Sequence, residues 1–176
     1  TIEQGVRRGE NGEITAIGSV ADVQIPTHAQ HIDVTGKTIM PGLVDSHSHI
    51  GGWPGFNADN SEPVQPELRA LDGIDSRDAT IQRAQAGGIT TANLMPGSGH
   101  LISGLTVYAK LRDTNTVEGM LITLPDGRMA GGVKMANGTN SLKQAKYAKF
   151  PGSRAKSAAL VREAFIAAQE YQKKIA

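Results

Sequence analysis

Short stretches of alternating apolar and polar residues run through the first third of the chain, and that period of two predicts strands. "GEITAIGS" at 12–19 alternates in this way. "HIDVTGKTIMPG" at 31–42 reads as a strand, a Thr35-Gly36 turn and a second strand ending at the Pro41-Gly42 corner. The first forty residues are therefore predicted to form a small β element. "LVDSHSHI" at 43–50 is the next strand. In an extended chain Leu43, Asp45, His47 and His49 share one face, while Val44, Ser46, Ser48 and Ile50 share the other. Apolar Val44 and Ile50 on that second face suit a strand covered by helices.

The pattern then changes. Residues 51–75 carry clusters of Gly, Pro, Asn and Asp with two isolated aromatics, Trp53 and Phe56, and predict a long loop of the kind that carries function. "SRDATIQRAQAGG" at 76–88 predicts a short helix, with Ser76 as N-cap and Gly87-Gly88 as the stop. "ITTANLM" at 89–95 is a β-branched strand ending at Pro96-Gly97. "GLTVYAKLR" at 104–112 and "GGVKMA" at 131–136 read as further strands around a turn at 125–127, and their pairing is not legible. Between 157 and 176, Leu160, Val161, Ala164, Phe165, Ala168, Tyr171 and Ile175 recur at helical spacing and predict a helix with one apolar stripe. The order of elements is that of an α/β protein.

Composition narrows the class. The chain has 176 residues, a formal net charge of +1, 39% apolar and 20% charged residues, which predicts a soluble globular protein with one domain as the default. No apolar run reaches the ~18 residues that cross a bilayer, and the first residues lack the apolar core of a secretory signal. No membrane partner is expected, and cytoplasm and periplasm both remain open. Near-neutral charge, with basic residues scattered singly or in pairs such as Arg7-Arg8, gives no field for a nucleic-acid backbone. With no cysteine, a transition metal here would be held by His, carboxylate, carboxylated Lys or water.

The chemistry concentrates at 45–49. One ion bridges two imidazoles when both rings approach from the same side, and an i, i+2 pair on a strand supplies that. Asp45, on the same face, could orient a ligand ring or the ion. On the residues alone His47 and His49 read equally as a metal pair or as a polar patch on an exposed strand. Trp53 and Phe56, on the loop that follows, read either as substrate contacts or as anchors of that loop.

"IDVTGKTIMPGLVDSHSHIG" resembles the amidohydrolase superfamily, whose members carry Gly-Lys-x-x-x-Pro-Gly-Leu-x-Asp-x-His-x-His at the first strand of a metal-bearing (β/α)₈ barrel. "AGGITTANLMPGSGHLISG" and "GVKMANGT" resemble segments of its imidazolonepropionase-like branch. The resemblance implies a partial (β/α)₈ TIM-type barrel over 43–176, preceded by part of a small β-sandwich domain over 1–42. It implies that His47 and His49 bind a divalent metal, zinc foremost, that Asp45 orients, and that the substrate is a cyclic amide, amide or dipeptide cleaved at a C–N bond by metal-activated water.

The chain also departs from that pattern. A (β/α)₈ barrel takes about 250 residues. Outside the motif only His28, His31 and His100 remain, with no later-strand His and no terminal Asp motif to serve as base. Thr139 in "KMANGTN" stands where the family pattern implies a carboxylate. Lys110 and Lys134, on strand-like segments, can be carboxylated bridging ligands or lysines whose stems pack at strand ends. His100 follows the 89–95 strand and reads as a site-mouth residue or a plain loop His. Two functions follow: the N-terminal part of a metal-dependent amidohydrolase, or a non-catalytic half-barrel that binds metal or a partner chain. Either leaves unpaired strand edges, so self-association or a complementary chain is expected.

Overall fold

The computed structural model describes residues 2, 5–52, 59–142 and 149–176. They form two compact units, Thr1–Pro41 and Gly42–Ala176.

In the first unit, β1 (Gly5–Glu10) and β2 (Glu13–Ser19) make an antiparallel hairpin. The turn between them is Asn11-Gly12, both at positive φ (51° and 82°), the backbone that matches the twist of two antiparallel strands. The 12–19 strand is thus present. β1 was not predicted, although Asn-Gly was a hairpin signal; the charged "GVRRGE" concealed it. The two strands expected at 31–42 do not form. That segment is irregular around a Thr35-Gly36 turn in which the Asp33 carboxylate accepts the Thr35 backbone N–H and hydroxyl at 2.9 and 2.7 Å. No described strand lies beside it to complete a ladder, and Ile32, Ile39 and Met40 stay exposed.

The second unit is α/β with mixed sheets. β3 (Leu43–Ser48) runs parallel to β4 (Ile89–Leu94), which pairs antiparallel with β6 (Val107–Lys110); β5 (Ile102–Leu105) pairs antiparallel with β7 (Val133–Met135). The predicted strand at 104–112 is therefore two strands in different sheets, broken at Thr106. Gly104 is the reason. Its φ is 104°, and a Cβ there would lie 2.4 Å from the Leu68 carbonyl oxygen, so β5 is held against the 59–75 segment before the chain turns into β6.

The core forms on one face of β4. Ala92 pairs with Ala109 and Leu94 with Val107, and these four pack with Ile81 and Met120. Burial of a side chain such as Leu94 stabilises by roughly 1.5–3 kcal/mol. Ile81 comes from α1 (Ala79–Ala86). This helix starts two residues later than Ser76 would require, because Asp78 is the N-cap and accepts the Thr80 N–H at 2.7 Å. Its stop at Gly87-Gly88 is as predicted, with Gly88 at φ 86°.

Alternation puts Thr91 and Asn93, opposite Lys110 and Tyr108, on the other face of β4. That face is polar. β3 joins with Ser48 opposite Leu94, and Ser48 is buried, so the neighbouring His47 and His49 fall on the polar side. Val44, expected beneath a helix, is 64% exposed, and no described helix covers it. α2 (Arg154–Ile175) is capped by Ser153, whose hydroxyl accepts the Lys156 N–H at 3.2 Å. It buries none of its residues, and its stripe of Phe165, Tyr171 and Ile175 is exposed. Trp53 and Phe56 lie outside the described residues.

Candidate metal centre

His47 and His49 emerge from the end of β3 with ring centroids 5.1 Å apart and planes at 82°. What aims them is Met95. The β3–β4 ladder continues one bond past the strands, from the Met95 N–H to the Ser48 carbonyl at 3.0 Å, which carries the Met95 carbonyl to 2.8 Å from His49 Nδ1. A carbonyl only accepts, so Nδ1 carries the proton and His49 Nε2 is left with a free lone pair. Pro96 contributes locally by restricting Met95 to extended backbone, which keeps the strand running to this point.

His47 Nε2 meets the Nζ of Lys134 at 3.1 Å. As an ammonium Lys134 donates to Nε2, and as a neutral amine it can also accept from it, so this contact places Nε2 beside Nζ without fixing the His47 tautomer. Lys134 reaches it from β7, where it pairs with Gly104, and its Nζ also lies 3.3 Å from Met95 Sδ. The side chain is 9% exposed, and burial pushes its ammonium below the ordinary lysine value. Lys134 is therefore not a lysine whose stem packs at a strand end with its head in water. Asp45 Oδ1 accepts the backbone N–H of His47 at 3.0 Å, so this carboxylate braces the strand that carries the imidazole.

The remaining candidates go elsewhere. Lys110 Nζ donates to Thr91 Oγ1 at 3.1 Å on the exposed side of β6. Thr139 is exposed at the start of a 3₁₀ turn. His28 and His31 are exposed in the first unit. His100 is 1% exposed, with its ring packed on Phe150, and lines a cavity beyond β4. Asn93, on the polar face, has a buried side-chain carbonyl without a hydrogen-bond partner. The Met95 carbonyl as acceptor for His49, 46 residues away, was beyond sequence reasoning; Lys134 was one of two open lysine candidates, and its meeting with His47, 87 residues away, is set only by the fold.

Among the described residues, no three His, Cys, Asp or Glu side chains gather in metal-binding reach. What does gather is the two imidazole rings, 5.1 Å apart, and the Lys134 amine beside His47 Nε2. Nitrogen donors of this kind fit a borderline divalent ion such as zinc, provided the amine is unprotonated or carboxylated.

No family model matches the chain. A 103-residue stretch is 33% identical to the amidohydrolase tasK of Hapsidospora irregularis, covering 54% of this chain and 10% of that protein. A dihydroorotase of Thermoanaerobacter sp. (strain X514) is 32% identical over 103 residues, 58% of this chain and 20% of the relative. An imidazolonepropionase of Halobacterium salinarum is 38% identical over 63 residues, 34% and 14%. The crystal structure of an amidohydrolase from Thermotoga maritima MSB8 superposes with a TM-score of 0.83 at 33% identity, over 96% of this chain and 44% of that one. The chain belongs to the amidohydrolase superfamily. Two of these relatives are amidohydrolases by name, and the chain spans at most a fifth of the length of the curated ones. No described helix is long and apolar enough to cross a membrane.

Proposed function

We propose that this chain carries part of the active site of a metal-dependent amidohydrolase that cleaves a C–N bond in a cyclic amide, amide or dipeptide. The observation that supports it is the convergence of His47, His49 and Lys134 at the end of β3, with His49 in the tautomer that frees Nε2 and His47 Nε2 beside Lys134 Nζ. His47 and His49 would hold the ion, and Lys134 would complete the set as the neutral amine or as a carboxylated lysine. A bound divalent metal, zinc foremost, supplies Lewis acidity toward the amide carbonyl and lowers the pKa of water to about 7. The chain's own groups do the rest. The Met95 carbonyl keeps the proton on His49 Nδ1, Asp45 fixes the backbone at His47, and burial of Lys134 favours its uncharged form.

In this reading the unit Gly42–Ala176 is the first part of a (β/α)₈ barrel and Thr1–Pro41 part of a small β-sandwich. A non-catalytic half-barrel that binds metal or a partner is the second reading. It is favoured by the absence, among the described residues, of any further His or carboxylate at the centre that could act as base. Self-association or a complementary chain would cover the exposed stripe of α2 and the outer face of β3.

Elemental analysis tests the metal assignment. Zinc bound by the parent should be lost from His47→Ala/His49→Ala and retained by His28→Ala/His31→Ala. Equal zinc in both double variants would overturn it.

A further inference from the structure

The sequence holds two Asn-Gly pairs, Asn11-Gly12 and Asn137-Gly138. A glycine after asparagine leaves the following backbone nitrogen without a Cβ beside it, so that nitrogen can approach the asparagine side-chain carbonyl. The fold treats the two pairs differently.

Asn11-Gly12 is the turn of the β1–β2 hairpin, with φ of 51° and 82°, and the pairing of Glu10 with Glu13 closes the ladder beside it. Rotating that peptide unit opens the end of the hairpin. Asn137-Gly138 lies between β7 and the 3₁₀ turn that starts at Thr139, and both residues are exposed. The chain is anchored on either side of it, by the Ala136 N–H on the Leu101 carbonyl at 3.1 Å and by Asn140 Nδ2 on Ser98 Oγ at 3.1 Å. Between these anchors the Asn137 carbonyl, the Asn137 side chain and the Gly138 N–H make no hydrogen bond among the described residues. A Cβ placed on Gly138 would meet nothing within 4 Å, so no neighbour crowds this residue. The peptide unit that must turn is thus held by nothing, whereas its counterpart at Asn11 is held by two strands.

We propose that Asn137 is a modification site, where spontaneous deamidation yields aspartate and isoaspartate. The Gly138 backbone nitrogen gives its proton to solvent base and bonds to Asn137 Cγ; the Cγ–Nδ2 bond breaks, and Nδ2 leaves as ammonia. The five-membered succinimide then takes up one water. Opening its Cγ–N bond returns aspartate, and opening its backbone C–N bond gives isoaspartate, whose main chain runs through the side chain and is longer by a methylene. Either product adds one negative charge to a chain of formal net charge +1. The added methylene falls between the two anchors to the 98–101 loop. Water is the only co-reactant. The inference does not depend on the metal reading.

The test holds the full chain in mildly alkaline buffer, samples it over time, and reads each asparagine by peptide mass spectrometry with electron-transfer fragmentation, which tells isoaspartate from aspartate. In the folded chain Asn137 is expected to convert on the order of tenfold faster than Asn11, and in urea the two should convert at similar rates, because only the fold separates them. Gly138→Ala should slow conversion at Asn137 on the order of tenfold while keeping the fold, since a φ of −84° suits alanine and the space around it is open. Conversion of Asn11 level with or ahead of Asn137 in the folded chain, no conversion at Asn137 under conditions where the urea-unfolded chain converts, or undiminished conversion in Gly138→Ala would overturn the proposal. Should that variant not fold, the parent decides: a ratio of Asn137 to Asn11 rates that is the same folded and in urea would overturn it equally.

Discussion

Replacing Lys134 by methionine separates what this residue costs from what it does. Its ammonium is buried and faces one imidazole nitrogen at 3.1 Å and one thioether at 3.3 Å, and no ion pair to it is present among the described residues. Neither neighbour repays the lost hydration of a charge, so an apolar side chain of similar length should stabilise the metal-free protein by about 1–3 kcal/mol. For a chain of this size each kcal/mol moves the melting point by roughly 2–4 °C, so Lys134→Met should melt roughly 2–12 °C higher in chelator.

The sign with pH follows from linkage. Folding holds Lys134 below the ordinary value of 10.5, so between the two values the unfolded chain binds the proton more tightly and the parent gains stability as pH rises. The advantage of Lys134→Met is therefore complete below the lowered folded value and fades as pH approaches 10.5. The same variant should bind zinc on the order of tenfold or more weakly, because one of three donors is gone. Thermal melts in chelator across pH and a zinc titration measure both effects. A variant that melts below its parent at neutral pH would refute the burial argument, and an unchanged zinc affinity would refute the donor role.

Gly104→Ala should destabilise by about 1–3 kcal/mol, read as a lower urea midpoint, because φ of 104° and the Leu68 carbonyl leave no room for a Cβ; the shift of β5 should also reduce zinc binding through Lys134. Leu94→Ala, in a fully buried position paired with Val107, should cost about 2–5 kcal/mol in the same measurement without altering the order of metal preference. Light scattering at rising concentration should show self-association that Phe165→Glu with Tyr171→Glu reduces, and a parent that stays monomeric would show the α2 stripe to be inert. Zinc-loaded 176-residue chain should hydrolyse amide, lactam and dipeptide substrates no faster than zinc in buffer, and turnover restored by a chain carrying later barrel strands should vanish with His47→Ala.

Features set by neighbours in the chain were legible from sequence. Alternation alone put Asp45, His47 and His49 together, the apolar spacing announced α2, and Gly87-Gly88 marked the end of α1, because each of these depends on a few adjacent dihedrals. The same local rules failed where a partner strand had to be present. Residues 31–42 have strand-like composition and form no ladder, while the unpromising "GVRRGE" becomes β1 because Asn11-Gly12 folds it onto β2. Thr106 divides an apparently continuous strand because Gly104 must approach Leu68, a contact across 36 positions that no local pattern encodes. The centre divides in the same way. The two imidazoles belong to the sequence, but the His49 tautomer is decided by Met95 and the nitrogen beside His47 is supplied by Lys134, brought in by β4 and β7, and the low polarity that depresses the lysine exists only once β5 and β7 pair and bury it. Hydrogen-bond partners and desolvation are properties of folded space, and only the tertiary structure could assign them.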